Sequence, residues 1–165
     1  SETGPAFPGR PEWGVRYFLD TEYNGFGGQL LSLALVPEDG SEEFYVTLAC
    51  DAPLDPWVER HVIPFLDMVP EGMISPRLSR LGAAEALAAW LAHDEAPDIV
   101  ADWPEDLAQL AMLLVTGPGM MLPVPPLSLH FVPLHGFSTA ANSTVPHNAL
   151  HDARALRDHV TNHLE

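Results

Sequence analysis

Three strand-like runs crowd into residues 15–50, and the connections between them are short enough to force a reversal of direction at each. Residues 15–22 (VRYFLDTE), 29–36 (QLLSLALV) and 43–50 (EFYVTLAC) are rich in aliphatic, aromatic and β-branched side chains. Turn chemistry separates them: Asn24-Gly25 with Gly27-Gly28, then Pro37-Glu38-Asp39-Gly40. A parallel crossover needs roughly a dozen residues or more. The three runs are therefore expected to pair as an antiparallel meander.

Beyond residue 50 the pattern lengthens. Residues 55–66 allow a short helix beginning at Pro56, since proline is tolerated in a first turn. Residues 79–93 (SRLGAAEALAAWLAH) form the clearest helix, with Ser79 as N-cap and Leu87, Trp90 and Leu91 on one face. Residues 98–101 (DIVA) read as a strand, 104–115 as a helix, 127–132 (LSLHFV) as a fifth strand, and the chain from His147 or Asn148 as a last helix. Residues 1–14, rich in Pro and Gly, read as a flexible lead-in to a single domain over residues 15–165. This element order resembles that of a ribonuclease H-like α/β domain, a mixed five-stranded sheet flanked by helices.

Charge narrows the function classes. The net charge is −16 and there is no lysine; the cations are Arg10, Arg16, Arg60, Arg77, Arg80, Arg154 and Arg157. A protein that tracks duplex nucleic acid needs a basic stripe to neutralise phosphates, and the sequence has none. Any nucleic-acid chemistry must rest on a local site. No apolar run approaches the roughly 20 residues that span a bilayer, and no basic-then-apolar leader is visible. With one cysteine, Cys50, no internal disulfide can form, so a reducing cytoplasm is the expected compartment. Cys50 itself follows an apolar run and reads as a buried structural thiol.

The carboxylates fall in a pattern. Asp20 and Glu22 lie two apart at the end of the first strand, so both point to one side of it. Two neighbouring acids in an apolar strand repel each other and lose hydration, unless a divalent cation sits between them or the strand end simply meets solvent. Near the other end of the chain, residues 147–153 read H-N-A-L-H-D-A, entering an amphipathic helix. Together these resemble the first and third motifs, D-x-E and H-x-A-x-x-D-A, of the histidine-bearing subgroup of the DEDD 3'-5' exonucleases. The second motif of that superfamily, commonly N-x-x-x-D at a helix start, is matched more loosely, by residues 102–106 (DWPED). Register favours Asp106 as its metal-ligating acid, with Asp102 and Glu105 as rivals and Asp102 standing where Asn is often found. The layout is most similar to that of the compact single-domain 3'-5' exoribonucleases.

The resemblance implies a chemistry. Asp20, Glu22, Asp106 and Asp152 would hold two Mg²⁺ or Mn²⁺ ions, hard cations suited to oxygen ligands. His147 would be the general base toward the attacking water. Five residues separate it from Asp152, about 500° of helix rotation, so it belongs on the loop entering the helix rather than on its face. The implied substrate is the 3' end of single-stranded nucleic acid, RNA before DNA on the resemblance alone. The products would be nucleoside 5'-monophosphates, and the resemblance leaves room for a homodimer.

Other readings compete at particular residues. His147 and His151 have the H-x-x-x-H spacing of a helical zinc pair, against a merely polar, solvated His151. Phe26 follows the D-x-E and is either a base-stacking platform or a buried turn aromatic. Arg154 and Arg157 meet phosphate or are solvated helix charges. His130 and His135 have no assigned role. A non-catalytic nucleotide- or partner-binding module of the same fold is the alternative function, and clustered acids argue against it.

Overall fold

The computed structural model describes residues 14–163. β1 (Arg16–Tyr23), β2 (Leu30–Pro37) and β3 (Phe44–Thr47) form the expected antiparallel meander. Glycines make the first reversal: Gly25 and Gly27 take φ of +78° and +69°, left-handed values that a side chain would resist. Then come α1 (Pro56–His61), α2 (Arg80–Leu91), β4 (Asp98–Ala101) and α3 (Pro104–Leu113). A small ribbon of β5 (Val115–Gly117) and β6 (Met120–Met121) follows, then β7 (Ser128–Phe131) and α4 (Ala149–His163). The main sheet is mixed and five-stranded, ordered β3-β2-β1-β4-β7, with β4 parallel to both β1 and β7. This is an α/β fold of the ribonuclease H-like kind. Among the described residues no helix is long and apolar enough to cross a membrane.

The sheet is covered on both sides, which is why β2 and β4 read as nearly continuous apolar runs. On one side Tyr17, Leu19, Leu33 and Leu35 pack with Leu87 and Leu91 of α2 and Leu110 and Leu113 of α3. On the other, Phe18 and Val100 meet Leu156 and Val160 of α4, while Ala34 and Val36 meet Ala149, Leu150 and Ala153. Alternation along β1 therefore sends Asp20 and Glu22 to the side of Phe18, toward α4. Thr21 faces α3.

Several element ends differ from the sequence reading, each for a local reason. The third strand stops at Thr47; Leu48 pairs instead with Leu78 in an isolated parallel bridge, and Cys50 lies beyond the sheet. Cys50 is half-buried rather than buried, with its thiol directed at the Ala52 carbonyl. The helix expected over residues 55–66 is α-helical only to His61 and tightens to a 3-10 turn at Ile63–Phe65. Pro64, without an N–H, cannot donate the next α-helical bond. The helix expected to reach residue 115 ends at Leu113 and gives way to the ribbon. Ser79 caps α2 as expected, accepting from the Gly82 amide at 3.0 Å. Apart from Gly14, the expected lead-in lies outside the described residues.

Candidate active site

Parallel pairing decides where the acids meet. The β1–β4 register runs from Arg16–Asp98 to Phe18–Val100. Two residues further along, β1 carries Asp20 and the chain leaving β4 carries Asp102. α3 starts directly after, with Pro104 in its first turn and Asp106 one turn from Asp102. The Thr21 hydroxyl donates to Asp106 Oδ1 at 2.6 Å, fixing that carboxylate beside the end of β1. α4 brings Asp152 from the opposite side of the sheet. Asp20, Asp106 and Asp152 are all buried; Glu22 and Asp102 are half-buried.

The start of α4 is built by one residue. Asn148 is fully buried, and its side-chain oxygen accepts from the amides of Leu150 and His151 at 3.0 and 3.2 Å. Its amide nitrogen donates to the Phe65 carbonyl at 2.8 Å, which ties the helix to the turn after α1. His147 precedes this cap, outside the helix as the rotation argument required, at φ +66°. No other described non-glycine residue has a positive φ. Its imidazole meets the Trp57 indole edge-on, centroids 4.9 Å apart and planes at 79°. Trp57 packs in turn on His61 at 4.8 Å.

Ligand atoms converge in two groups. Carboxylate oxygens of Asp20, Asp102 and Asp106 lie within 4.8 Å of one another, and so do ligand atoms of Glu22, His147 and Asp152. Either group could hold a metal ion. A second observation supports this reading: Asp20 Oδ2 and Asp152 Oδ1 are buried without any hydrogen-bond partner. A buried, unpaired carboxylate oxygen is costly, and either a proton or a divalent cation would relieve it.

The electrostatics agree. Burial, then repulsion from Asp106, Glu22 and Asp152, holds the Asp20 carboxyl well above the usual carboxylate range. Burial and then Asp152 do the same to Glu22. Burial pushes Asp106 up to about 7 against the opposing Thr21 hydrogen bond, and Asp152 up to about 6. Asp102 is raised by burial as well. His147 moves the other way, lowered by burial and by the neighbouring His61, so it favours the neutral form in which it can accept a proton.

The acids open onto a cleft of about 500 Å³, walled by Trp103, Phe131, His135 and Phe137 among others. A second hollow of about 350 Å³ adjoins it, between Phe26, Trp57 and Trp103. Among the described residues no arginine lines either. Phe26 is 98% exposed, which removes the buried-aromatic reading and leaves it free to stack.

Other sequence candidates are placed elsewhere. Glu105 accepts from the Gly27 amide at 2.9 Å and belongs to neither acid group. His151 is not free. Its Nε2 contacts the Met68 carbonyl at 2.9 Å and its Nδ1 the Thr144 hydroxyl at 3.0 Å, so both nitrogens are engaged in holding a loop. Arg154 forms a fork with Glu43, and Arg157 pairs with Asp158. His130 pairs with the buried Asp98 at 2.5 Å, and His135 lines the cleft. Sequence reasoning missed Thr21, Trp57 and Asn148. Only Asn148, an N-cap type before an apolar-periodic run, carried a local signal.

No protein-family model matches this chain, and a search of curated proteins finds no match to it.

Proposed function

We propose that this protein is a metal-dependent 3'-5' exonuclease acting on the end of short or single-stranded nucleic acid, with release of nucleoside 5'-monophosphates. The observation that carries the reading is the convergence of Asp20, Glu22, Asp106 and Asp152, two of them with unpartnered buried oxygens, beside an imidazole held outside the helix. Bound Mg²⁺ or Mn²⁺ would supply an activated water and charge stabilisation at the leaving 3'-oxygen. The four carboxylates would hold those ions, being hard oxygen donors in a buried setting. His147, kept neutral by its surroundings, would take the proton from the attacking water. Trp57 would keep the imidazole turned toward the acids. Phe26, Trp103 and Phe131, each about half exposed or more, offer faces on which unpaired bases stack.

Among the described residues the cleft has no arginine, and the chain has no lysine, so upstream phosphates would be held weakly. This favours recognition of the 3' end over tracking along a strand. RNA as the preferred polymer, a homodimeric state and a cytoplasmic setting complete the proposal; the first two follow the family resemblance, the last the single cysteine. The test uses 5'-labelled single-stranded RNA and DNA carrying free or phosphate-blocked 3' ends, incubated with Mn²⁺. Stepwise shortening of the free-ended strands, with 5'-monophosphates as product, is expected. Cleavage inside the strand, or equal loss of the blocked substrate, would defeat the assignment.

A further inference from the structure

Building on that two-metal reading, we propose that Asp102 is a fifth metal-binding carboxylate, completing with Asp20 and Asp106 a cation subsite that the protein fills before substrate arrives. The sequence set Asp102 against Asp106 as alternatives for one role. The fold instead brings both to Asp20, with carboxylate oxygens of all three within 4.8 Å. Three features make this a built arrangement rather than an acidic surface patch. Asp20 and Asp102 each lie two residues beyond the last paired residues, Phe18 and Val100, so the parallel register brings both to the same end of the sheet. The Thr21 hydroxyl fixes Asp106 from below. Asp20 Oδ2, buried in a side chain only 7% exposed, has no hydrogen-bond partner. Such an oxygen calls for a cation or a proton.

The two groups of ligands differ in kind. Asp20, Asp102 and Asp106 are all carboxylates, whereas Glu22 and Asp152 share their group with the His147 imidazole. Cation affinity in oxygen sites rises with the number of charged ligands. With three acids, the first subsite needs no substrate phosphate to complete its charge. Taking Asp102 away leaves two acids there, and that ion should then depend on the phosphate brought by substrate. This pre-loading fits a protein that has few cations with which to hold a phosphate in place.

The test is Mn²⁺ binding to the metal-free protein without substrate, by calorimetry and by loss of the free-ion paramagnetic resonance signal. Wild type is expected to take two Mn²⁺ per chain. Asp102→Asn should keep one at unchanged affinity and bind the other roughly 10- to 100-fold more weakly. Asp102→Ser should behave alike, and both variants should melt no lower than wild type in metal-free buffer, since each removes a repelling charge. One Mn²⁺ per wild-type chain, or two unchanged ions in both variants, would overturn the proposal and leave the nuclease reading standing. No bound Mn²⁺ at all would defeat the two-metal reading itself.

Discussion

His147 carries an energetic burden that its neighbours do not. A left-handed backbone at φ +66° costs a side-chain-bearing residue on the order of 1–2 kcal/mol. That cost gives two variants which separate backbone from chemistry. His147→Ala and His147→Gly should both lower turnover by roughly 10²- to 10⁴-fold. The glycine variant should be the more stable of the two by about 1 kcal/mol in urea unfolding. Equal stabilities would mean that the loop relaxes and no strain is stored. Asp152→Asn should weaken metal binding as well as rate, because it removes a charge that would face the cation. At this scale the sequence was informative about identity and poor about company. The resemblance of D-T-E and H-N-A-L-H-D-A to two exonuclease motifs marked four of the five proposed site residues. Nothing in the sequence indicated that Trp57 would meet His147, since that contact depends on how α1 sits against the loop before α4. The two roles of His151, at Met68 and Thr144, were equally hidden.

Elements, not isolated residues, bring the acids together. β1 and β4 end at the same edge of the sheet, α3 starts there, and α4 crosses from the other side. The joint most exposed to damage is the α4 N-terminus, where one buried amide both caps the helix and satisfies the Phe65 carbonyl. Asn148→Ala should therefore cost about 2–4 kcal/mol, the sum of a lost cap and a stranded buried carbonyl. Chemical denaturation measures this directly; a loss under about 0.5 kcal/mol, the ordinary worth of a surface substitution, would show that the cap does not hold the helix. Strand and helix identities were legible because β2 and β4 are nearly continuous apolar runs, β1 has an aromatic and aliphatic stretch before its acids, and α2 has a cap and a stripe. The ends were not. β3 stops where Leu48 finds Leu78, a partner thirty residues away that no local pattern announces. The ribbon at Val115–Met121 follows α3 without alternation to mark it. The second motif stayed ambiguous because β4 and α3 together deliver two aspartates, a matter of register between strands.

Over the whole molecule, the net charge of −16 and the buried acids act in the same direction. The raised carboxyls bind protons in the folded state at pH values where unfolded carboxyls have lost them. The contribution of these groups to the stability of the metal-free protein is then fully present below the ordinary carboxylate range. It should fall as pH rises through about 6 and 7, where Asp152 and Asp106 ionise in the fold. Melting temperatures across pH 4 to 8 in chelator should decline accordingly, and Mn²⁺ near pH 7.5 should restore them by mass action. A flat or rising profile would mean that the acids are not forced together. Substrate binding should respond weakly to salt, with a log-log slope of about −1 to −3; a slope near about −8 would reveal a basic tract. The most direct test of the account is hydrolysis of 5'-labelled single-stranded RNA while Mn²⁺ is added, chelated with EDTA and added again. The account predicts shortening from the 3' end that starts with the metal, stops with the chelator and resumes on re-addition. Hydrolysis that continues in EDTA, or none at any Mn²⁺ or Mg²⁺ concentration, would contradict it.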